Sequence, residues 1–329
     1  MDRRHLLTLG IGAAIGGAGC DRRPPPSVPT GPVVAKLADT VHPSNPSVAA
    51  ERYFAEQVAT LTQDRYRIDV AAGGLLGDDS RVNEMVRTGQ IAFAKTLVNN
   101  LSAYDKRLGV LTLPFAFSGE QECMAALNGE LGRRCTAILD ESGLIVLAYF
   151  YAGERSLYNG KRPIHTPADV QGLRIRVPQS IVSIDIVNAM GGSAVPMANN
   201  EILSALQEQV VHGAENNPVF YLTEGHALYA PYYSRTRHQQ SIDVLIASRK
   251  WLSEQPADVQ GAIREAGRRT QTEEIRLWRQ GAARAAKRAK DEGAIVNDVD
   301  IAAFRRVLAP VVREHRGTFG DLASLLPDA

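Results

Sequence analysis

An arginine stands inside an apolar segment of the chain. Arg176 lies between Ile175 and Val177 in the run GLRIRVP at residues 172–178. Burying a charge in such a segment is unfavourable unless a partner compensates it. A guanidinium donates two parallel hydrogen bonds to a carboxylate, so the fitting partner is an acid. That acid is either a bound ligand or an Asp or Glu of the chain itself.

A second arginine, Arg174, precedes Arg176 by two residues. In a β-strand the two side chains point to the same face, and Arg174 lies further from the carboxyl end of the strand. We therefore expect Arg174 to reach solvent or an internal carboxylate.

Polar side chains elsewhere are suited to hydroxyl groups. Asp79 can accept hydrogen bonds from hydroxyls, or it can cap the helix that follows. Asn216 both donates and accepts, although Asn and the nearby Pro218 also favour a turn. His42 and His238 are weaker candidates, since an isolated histidine is more often structural.

The sequence contains no pattern typical of a catalytic or cofactor site. GxGxxG after a strand, GxxxxGK[ST], GxSxG and HExxH are absent, and the seven histidines are scattered. A net charge of +1 and an aromatic content of 6% do not favour nucleic-acid binding. We expect a protein without cofactor or metal, and an exported enzyme has no support from the motifs.

The hydropathy pattern predicts the elements that position these residues. Apolar or alternating runs predict strands, and apolar residues at helical spacing predict helices. Their alternation favours an α/β fold with parallel β-α-β units, which bind ligands at the carboxyl ends of the strands. Strands are predicted at 33–38, 66–70, 91–94, 144–149, 173–177, 194–196 and 244–247, and helices at 47–61, 120–127, 131–139, 181–190 and 201–209, with one ending at 88 and one or two long ones in 256–292.

The first 20 residues have the layout of a secretory signal peptide. Arg3 and Arg4 precede an apolar stretch that ends in small residues. The arginine pair also resembles a twin-arginine export motif. We therefore expect a protein that works outside the cytoplasm.

Cys20 follows Gly-Ala-Gly, which resembles the lipobox of bacterial lipoproteins, although Gly17 replaces the usual Leu. A lipid anchor on Cys20 and ordinary cleavage to a soluble periplasmic protein are the alternatives. Asp21 resembles the signal that retains lipoproteins at the inner membrane. Residues 21–32 are rich in Pro and Arg and are expected to form a flexible tether.

Cys123 and Cys135 remain as a pair in an exported chain, where disulfides persist. They lie on two predicted helices joined by a tight turn. A disulfide and two buried thiols both fit the sequence, whereas the spacing does not fit a metal site.

Several motifs, in the same order along the chain, resemble those of the solute-binding subunits of TRAP transporters. These are LLGDD at 75–79, LTLPF at 111–115, RSLYN at 155–159, LRIRVP at 173–178, PM at 196–197, a helix at 201–206 and GAENNP at 213–218. TRAP transporters are ion-gradient-driven uptake systems for organic acids. The AENN variant and the opening at 38–43 resemble the branch that binds sugar acids, and the resemblance covers about residues 35–325.

The resemblance implies a two-domain α/β fold of the periplasmic-binding-protein type, with a cleft between the domains and a long helix bracing both. Domain I is expected at 33–152 plus about 242–280, and domain II at 153–241 plus about 281–329. It implies no cofactor and no catalysed reaction. The expected partners are a small carboxylate ligand and the membrane permease subunits, for a monomer in the periplasm.

The resemblance also assigns site residues. Arg176 would bind the ligand carboxylate, which favours a bound acid over an internal partner, and a second ligand-binding arginine falls on Arg155, whose alternative is a surface loop charge. The full set of expected ligand-binding residues is Arg176, Arg155, Asn216, Asp79, Glu215, Asn217, Gln179, Asn199, His42 and His238.

Three positions depart from the family pattern. Asn199 replaces an aromatic residue that lies over the ligand, His212 replaces an Asp before the glycine, and Leu97 replaces a polar residue of the pocket. A hexuronate or related sugar acid is the favoured ligand. A dicarboxylate, an aromatic or apolar acid, and a sensory binding protein that docks on a receptor kinase are the alternatives.

Overall fold

The computed structural model of the chain describes residues 31–327. The predicted signal peptide, Cys20 and residues 21–30 of the predicted tether lie outside these residues. No helix among the described residues combines the length and apolarity needed to cross a membrane.

Strands and helices alternate along the described chain, as the hydropathy pattern predicts. The strands are β1 (Val33–Ala38), β2 (Tyr66–Ala71), β3 (Phe93–Leu97), β4 (Leu144–Asn159), β5 (Arg174–Val177), β6 (Ser193–Pro196), β7 (Gly213–Asn216), β8 (Tyr232–Ser248) and β9 (Ile295–Asp298). The α-helices are α1 (Pro46–Leu61), α2 (Asp79–Thr88), α3 (Val98–Leu101), α4 (Glu120–Asn128), α5 (Glu130–Glu141), α6 (Ile181–Ala189), α7 (Ile202–Gln207), α8 (Pro218–Thr223), α9 (Arg249–Ser253), α10 (Ala257–Asp291) and α11 (Ile301–Thr318).

The strands form one mixed sheet in the order β2-β1-β3-β8-β4-β7-β5-β6, with β9 added to β8. Two long antiparallel strands, β4 and β8, connect its halves. We call the half with β1, β2 and β3 the first lobe, and the half with β5, β6, β7 and β9 the second lobe. Since a strand rises about 3.3 Å per residue, β4 with its 16 residues is long enough to pass through both.

The pairing of β4 with β8 is irregular between Tyr151 and Glu154. Gly153 lies inside this irregularity with a φ of +76°, a conformation that favours glycine. A Cβ on Gly153 would lie 3.1 Å from the ring of Trp278, so the close approach of α10 also favours glycine here. The irregularity lies where the long strands leave the first lobe and enter the second.

Helix α10 is a single helix of 35 residues, which settles the choice between one and two long helices. At 1.5 Å per residue it is about 50 Å long. It packs on α1 and β4 of the first lobe and on α8 and β9 of the second. The expected long bracing helix is therefore present.

A compact apolar cluster lies beneath α1 and the first part of α10. Phe54 and Phe93 meet edge to face at 5.3 Å between ring centroids, and both are fully buried. A larger apolar core extends through the rest of both lobes. Rigid lobes of this kind hold the side chains that face each other between them.

One local prediction is wrong and two alternatives are decided. Residues 213–216, which include the Asn216 that could have lain in a turn, form strand β7 because they pair with both β4 and β5. The strand predicted at 91–94 is displaced to Phe93–Leu97, where it pairs with β8. Cys123 and Cys135 are free, and burial raises the pKa of each thiol to about 12.

Candidate functional site

The guanidinium of Arg176 in β5 is only partly satisfied by the chain. The residue is 2% exposed. Nε and Nη2 donate to the backbone oxygen of Met197 at 2.9 and 2.6 Å, and Nη2 also donates to Oδ1 of Asn199 at 3.0 Å. Nη1 is buried and has no partner within residues 31–327. Burial lowers the pKa of Arg176 to about 10, which leaves it charged at neutral pH.

The buried ion pairs of the described residues leave Arg176 without a carboxylate. The described residues therefore do not give Arg176 the internal Asp or Glu partner that the sequence allowed as an alternative. Arg174, as expected, reaches the surface, where it donates to the backbone oxygens of Gln209 and Val210 at 2.7 Å each. A buried guanidinium with a free donor suits an acceptor that arrives with a ligand.

Asn199 connects Arg176 to the opposite lobe. Its Oδ1 accepts from Arg176, and its Nδ2 donates to Oδ2 of Asp79 at 3.3 Å and to Oγ1 of Thr40 at 3.4 Å. The network requires this orientation of the amide, because the oxygen faces a donor and the nitrogen faces acceptors. One small side chain thus bridges the arginine and a carboxylate on the other side.

Arg155 in β4 is fully buried and fully satisfied by the chain. Nε and Nη2 donate to the carboxylate of Glu215 at 2.6 and 2.9 Å, and Nη2 also reaches the backbone oxygen of Glu215 at 3.0 Å. Nη1 donates to Asn216 and Ser241 at 3.2 Å each. All five N–H groups have protein acceptors, so this geometry suits an arginine that positions its neighbours. It is not the surface loop charge considered as its alternative.

Glu215 is held in its ionised form. Burial alone would raise the pKa of this carboxyl, but Arg155 and His238 together outweigh burial and lower it to about 2. Nε2 of His238 lies 3.6 Å from the Glu215 carboxylate, and Nδ1 of His238 bonds to Thr236 at 2.8 Å. His238 is buried behind Glu215 and does not line the polar cavity that lies between the two lobes.

Asn216 ends β7 and Asn217 follows it, and the two side chains have different roles. Asn217 caps α8, since its Oδ1 accepts from the backbone N–H of Phe220 at 2.8 Å. Asn216 accepts from Arg155 and, at 2.8 Å, from the backbone N–H of Asn217. Both side chains line the cavity, where Arg155 and the helix cap fix them in place.

Sequence reasoning missed a buried ionic cluster around Lys95. Its Nζ lies 3.0 Å from Oδ1 of Asp39 and 3.2 Å from Oδ2 of Asp243. Burial opposes the charge of Lys95, but Asp243 and Asp39 prevail and raise its pKa. The available signal was a lysine inside the apolar run at residues 91–98, the same signal that singled out Arg176.

Glu51 of α1 lies behind this cluster. It is completely buried, and neither carboxyl oxygen has a hydrogen-bond partner among the described residues. Burial, and then the negative charge of Asp39, raise the pKa of Glu51 well above its ordinary value. The carboxyl group is therefore expected to be protonated.

Asp79 faces the cavity and does not cap α2. The cap is Asp78, whose carboxylate accepts from the backbone N–H of Arg81 at 2.8 Å. Asp79 accepts instead from Thr40 at 3.0 Å and from Asn199. Burial raises the pKa of Asp79 to about 6, against the opposing effect of Lys95.

These residues enclose a narrow polar cavity between the lobes. The first lobe contributes Asp79, Lys95 and Leu97, and the second contributes Asn199, Asn216 and Asn217. Phe220 and Trp278 supply aromatic surface, although position 199 itself is not aromatic. Arg176 adjoins the cavity through Asn199 rather than lining it directly. Larger grooves on the surface, such as one between Phe115 and α11, lack such a set of buried charges.

The remaining predicted residues lie at the rim or outside. Oε1 of Gln179, in the second lobe, accepts from Ser80 of the first at 3.0 Å. The backbone N–H of His42 donates to Glu224 at 2.8 Å, also across the lobes, while its ring bonds to Ser44. His42 and Gln179 therefore connect the lobes at the rim rather than line the cavity.

A mixed α/β fold with two lobes, a bracing helix and a charged cavity between the lobes defines a class of protein. It is the class of binding proteins that enclose a small polar ligand in a cleft. The chain belongs to the bacterial extracellular solute-binding protein family 7, the DctP family, whose family model matches residues 37–317.

Individual relatives agree with this assignment. A solute-binding protein of Chromohalobacter salexigens is 35% identical over 288 residues, which cover 87% of this chain and 85% of the relative. A solved TRAP periplasmic solute-binding protein from the same species, with bound D-glucuronate, has a TM-score of 0.85 at 33% identity and covers 88% of this chain and 97% of its own. One from Sulfitobacter sp. NAS-14.1, with bound β-D-galacturonate, has a TM-score of 0.87 at 30% identity, covering 90% of this chain and 100% of its own.

The resemblance to the TRAP solute-binding subunits and the expected two-domain α/β fold are thereby confirmed. The chain is an extracytoplasmic solute-binding protein of the TRAP type, and the relatives it matches are described as solute-binding proteins rather than as enzymes.

Proposed function

We propose that this protein captures a monocarboxylic sugar acid, a hexuronate or a close relative, and delivers it to TRAP permease subunits in the membrane. The observation that carries the proposal is the buried Nη1 of Arg176, which has no partner among the described residues. A ligand carboxylate supplies the missing acceptor and compensates the buried charge. The hexuronates bound to the solved relatives have this chemistry.

The other residues of the cavity suit a polyhydroxylated ligand. Asp79, Asn216 and Asn217 offer acceptors and donors at fixed positions. Trp278 offers a flat apolar surface of the kind that packs against a sugar ring. Leu97 leaves room for a less polar part of the ligand.

Capture couples to closure of the two domains. Contacts across the lobes support this step: Asn199 to Asp79, Ser80 to Gln179, and His42 to Glu224. We place domain I at 33–152 plus about 242–280 and domain II at 153–241 plus about 281–329. The irregular pairing at residues 151–154 supports a hinge at this crossing.

Calorimetry with purified protein tests the proposal. The panel contains glucuronate, galacturonate, galactonate, succinate and benzoate. We expect micromolar or tighter binding of at least one sugar acid, and quenching or enhancement of Trp278 fluorescence that is lost in Trp278→Phe. Binding of succinate or benzoate in preference to every sugar acid would overturn the proposed ligand class. No binding of any acid would overturn the proposed function.

The proposed location is the periplasm, with Cys20 as a lipid anchor at the inner membrane. Metabolic labelling with a radioactive fatty acid tests the anchor. Label in the wild-type protein and none in Cys20→Ser is the expected result, and unlabelled wild-type protein would show that ordinary cleavage operates instead.

A further inference from the structure

The cations around the cavity differ in the number of carboxylates that contact them. Arg155 is matched by Glu215, one cation to one carboxylate, within hydrogen-bonding distance. Lys95 contacts two carboxylates, Asp39 and Asp243. Within residues 31–327, Arg176 contacts no carboxylate. Among these residues it is therefore the cation of the site that is free to receive a carboxylate from a ligand.

The first-lobe side of the cavity carries surplus negative charge. The Lys95 cluster, meaning Lys95 with Asp39 and Asp243, contains one ammonium and two carboxylates. Asp79 adds a further carboxylate, whose hydrogen-bond donors, Thr40 and Asn199, are neutral. Asp79 and Asp243 both line the cavity and are both buried.

Asn199 lies between the positive charge of Arg176 and the negative charge of Asp79. A single amide separates the guanidinium of Arg176 from the carboxylate of Asp79. A ligand whose carboxylate pairs with Arg176 therefore extends toward the carboxylates of the first lobe. Hydroxyl groups can donate to them, whereas a second ligand carboxylate has no donor and meets like charge in a site of low dielectric.

We propose that Asp79 and the Lys95 cluster act as a charge filter, which accepts sugar acids with one carboxylate and rejects the corresponding aldaric acids, which have two. This inference rests on the proposed function and deepens it. Rejection by like charge is a recognised route to specificity where attractive contacts alone do not separate similar ligands.

Galactonate and galactarate are a matched pair of probes. Both are open chains, and they differ only in a terminal CH₂OH or carboxylate. The readout is the ratio of the Kd for galactarate to the Kd for the tighter binder among galactonate and galacturonate, measured by calorimetry at mildly alkaline pH. We expect this ratio to exceed about tenfold in the wild-type protein and to fall by about tenfold in Asp79→Asn.

Asp78→Asn is the matched control. It removes the same charge one residue away from the cavity, and Asn still caps a helix, so the ratio should stay at the wild-type value. Asp243→Asn is a second variant, which keeps the test possible if Asp79→Asn fails to fold. It neutralises the surplus charge of the Lys95 cluster and should also lower the ratio.

The possible outcomes distinguish failure of the proposed function from failure of the charge filter. If neither monocarboxylic acid binds, the proposed function fails and the filter fails with it. If a monocarboxylic acid binds but galactarate binds the wild-type protein equally well, only the filter is overturned. A ratio that is unchanged in the folded variants, or that falls equally in Asp78→Asn, overturns it as well.

Discussion

Arg176 and Asn199 form a hydrogen bond of 3.0 Å between Nη2 and the side-chain oxygen, beside a buried Nη1 that no described residue engages. The same asparagine donates to Asp79 and Thr40 in the opposite lobe. The residue that would hold the ligand is thus connected directly to a contact that holds the two lobes together.

Removing the Asn199 side chain should weaken ligand binding. Asn199→Ala deletes the bridge between the lobes and one acceptor of Arg176, which corresponds to about 1–2 kcal/mol, or roughly a five- to thirtyfold rise in Kd. Asn200→Ala is the control, since Asn200 is exposed and adjacent. Calorimetry with the tightest sugar acid gives the comparison, and equal affinities of the two variants would show that the bridge is dispensable.

Breaking the Arg155–Glu215 pair should destabilise the fold. Arg155→Met leaves a buried carboxylate unpaired, and such a change costs about 3–5 kcal/mol of unfolding free energy. The double variant Arg155→Met/Glu215→Met should recover much of this loss, because it leaves no unpaired charge. Urea unfolding measures both, and a single variant as stable as the wild type would mean that the pair is not buried in solution.

The Arg155–Glu215 pair also predicts how the stability of the fold changes in acid. Arg155, together with His238, depresses the pKa of Glu215 to about 2 in the folded state, below the ordinary value of 4.5. The stabilisation is therefore complete above the ordinary pKa and is lost as the pH falls toward 2. Thermal melts across this range should show that Arg155→Met/Glu215→Met loses less stability on acidification than the wild type does. Parallel curves for the two proteins would contradict the depressed pKa.

Glu51 predicts the opposite pH dependence. Its folded-state pKa is raised, so the folded protein holds a proton that the unfolded chain releases. Stability then falls as the pH rises from the ordinary pKa toward the raised one. Glu51→Gln, which mimics the protonated form, should raise Tm by about 2 °C or more at alkaline pH and flatten this dependence.

Glu56→Gln is the control for Glu51, because Glu56 is exposed on the same helix. Differential scanning calorimetry at several pH values compares the three proteins. A lower Tm for Glu51→Gln than for the wild type at alkaline pH would show that Glu51 is ionised and paired in solution.

Much of the fold was predictable because local pattern and tertiary structure agree. The strand at 33–38, the helix at 47–61 and the strand at 173–177 coincide with β1, α1 and β5 to within one residue. The long strands β4 and β8 were predicted only over their apolar parts, at 144–149 and 244–247. Their other residues include polar side chains that are nonetheless buried, for example Ser241, which accepts a hydrogen bond from Arg155 between the lobes.

The site was predictable where one charge interrupts an apolar run, as at Arg176. The sequence could not show which arginine pairs with a carboxylate of the chain itself. Arg155 and Glu215 are 60 residues apart, and only folding pairs them. The same holds for Lys95, Asp39 and Asp243, which three different parts of the chain bring together. Sequence spacing cannot reveal which arginine the chain satisfies and which it leaves for a ligand.

The central claim is that Arg176 is kept for the carboxylate of a ligand. The decisive measurement is calorimetric titration of Arg176→Met with the tightest sugar acid, together with its Tm without ligand. Arg174→Met, which alters the exposed arginine of the same strand, is the control. Affinity should fall by about two orders of magnitude or more in Arg176→Met, because a buried, charge-assisted pair is lost. Its Tm without ligand should equal or exceed that of the wild type, since an unpaired buried charge is removed. Unchanged affinity, or a large loss of stability without ligand, would contradict the account.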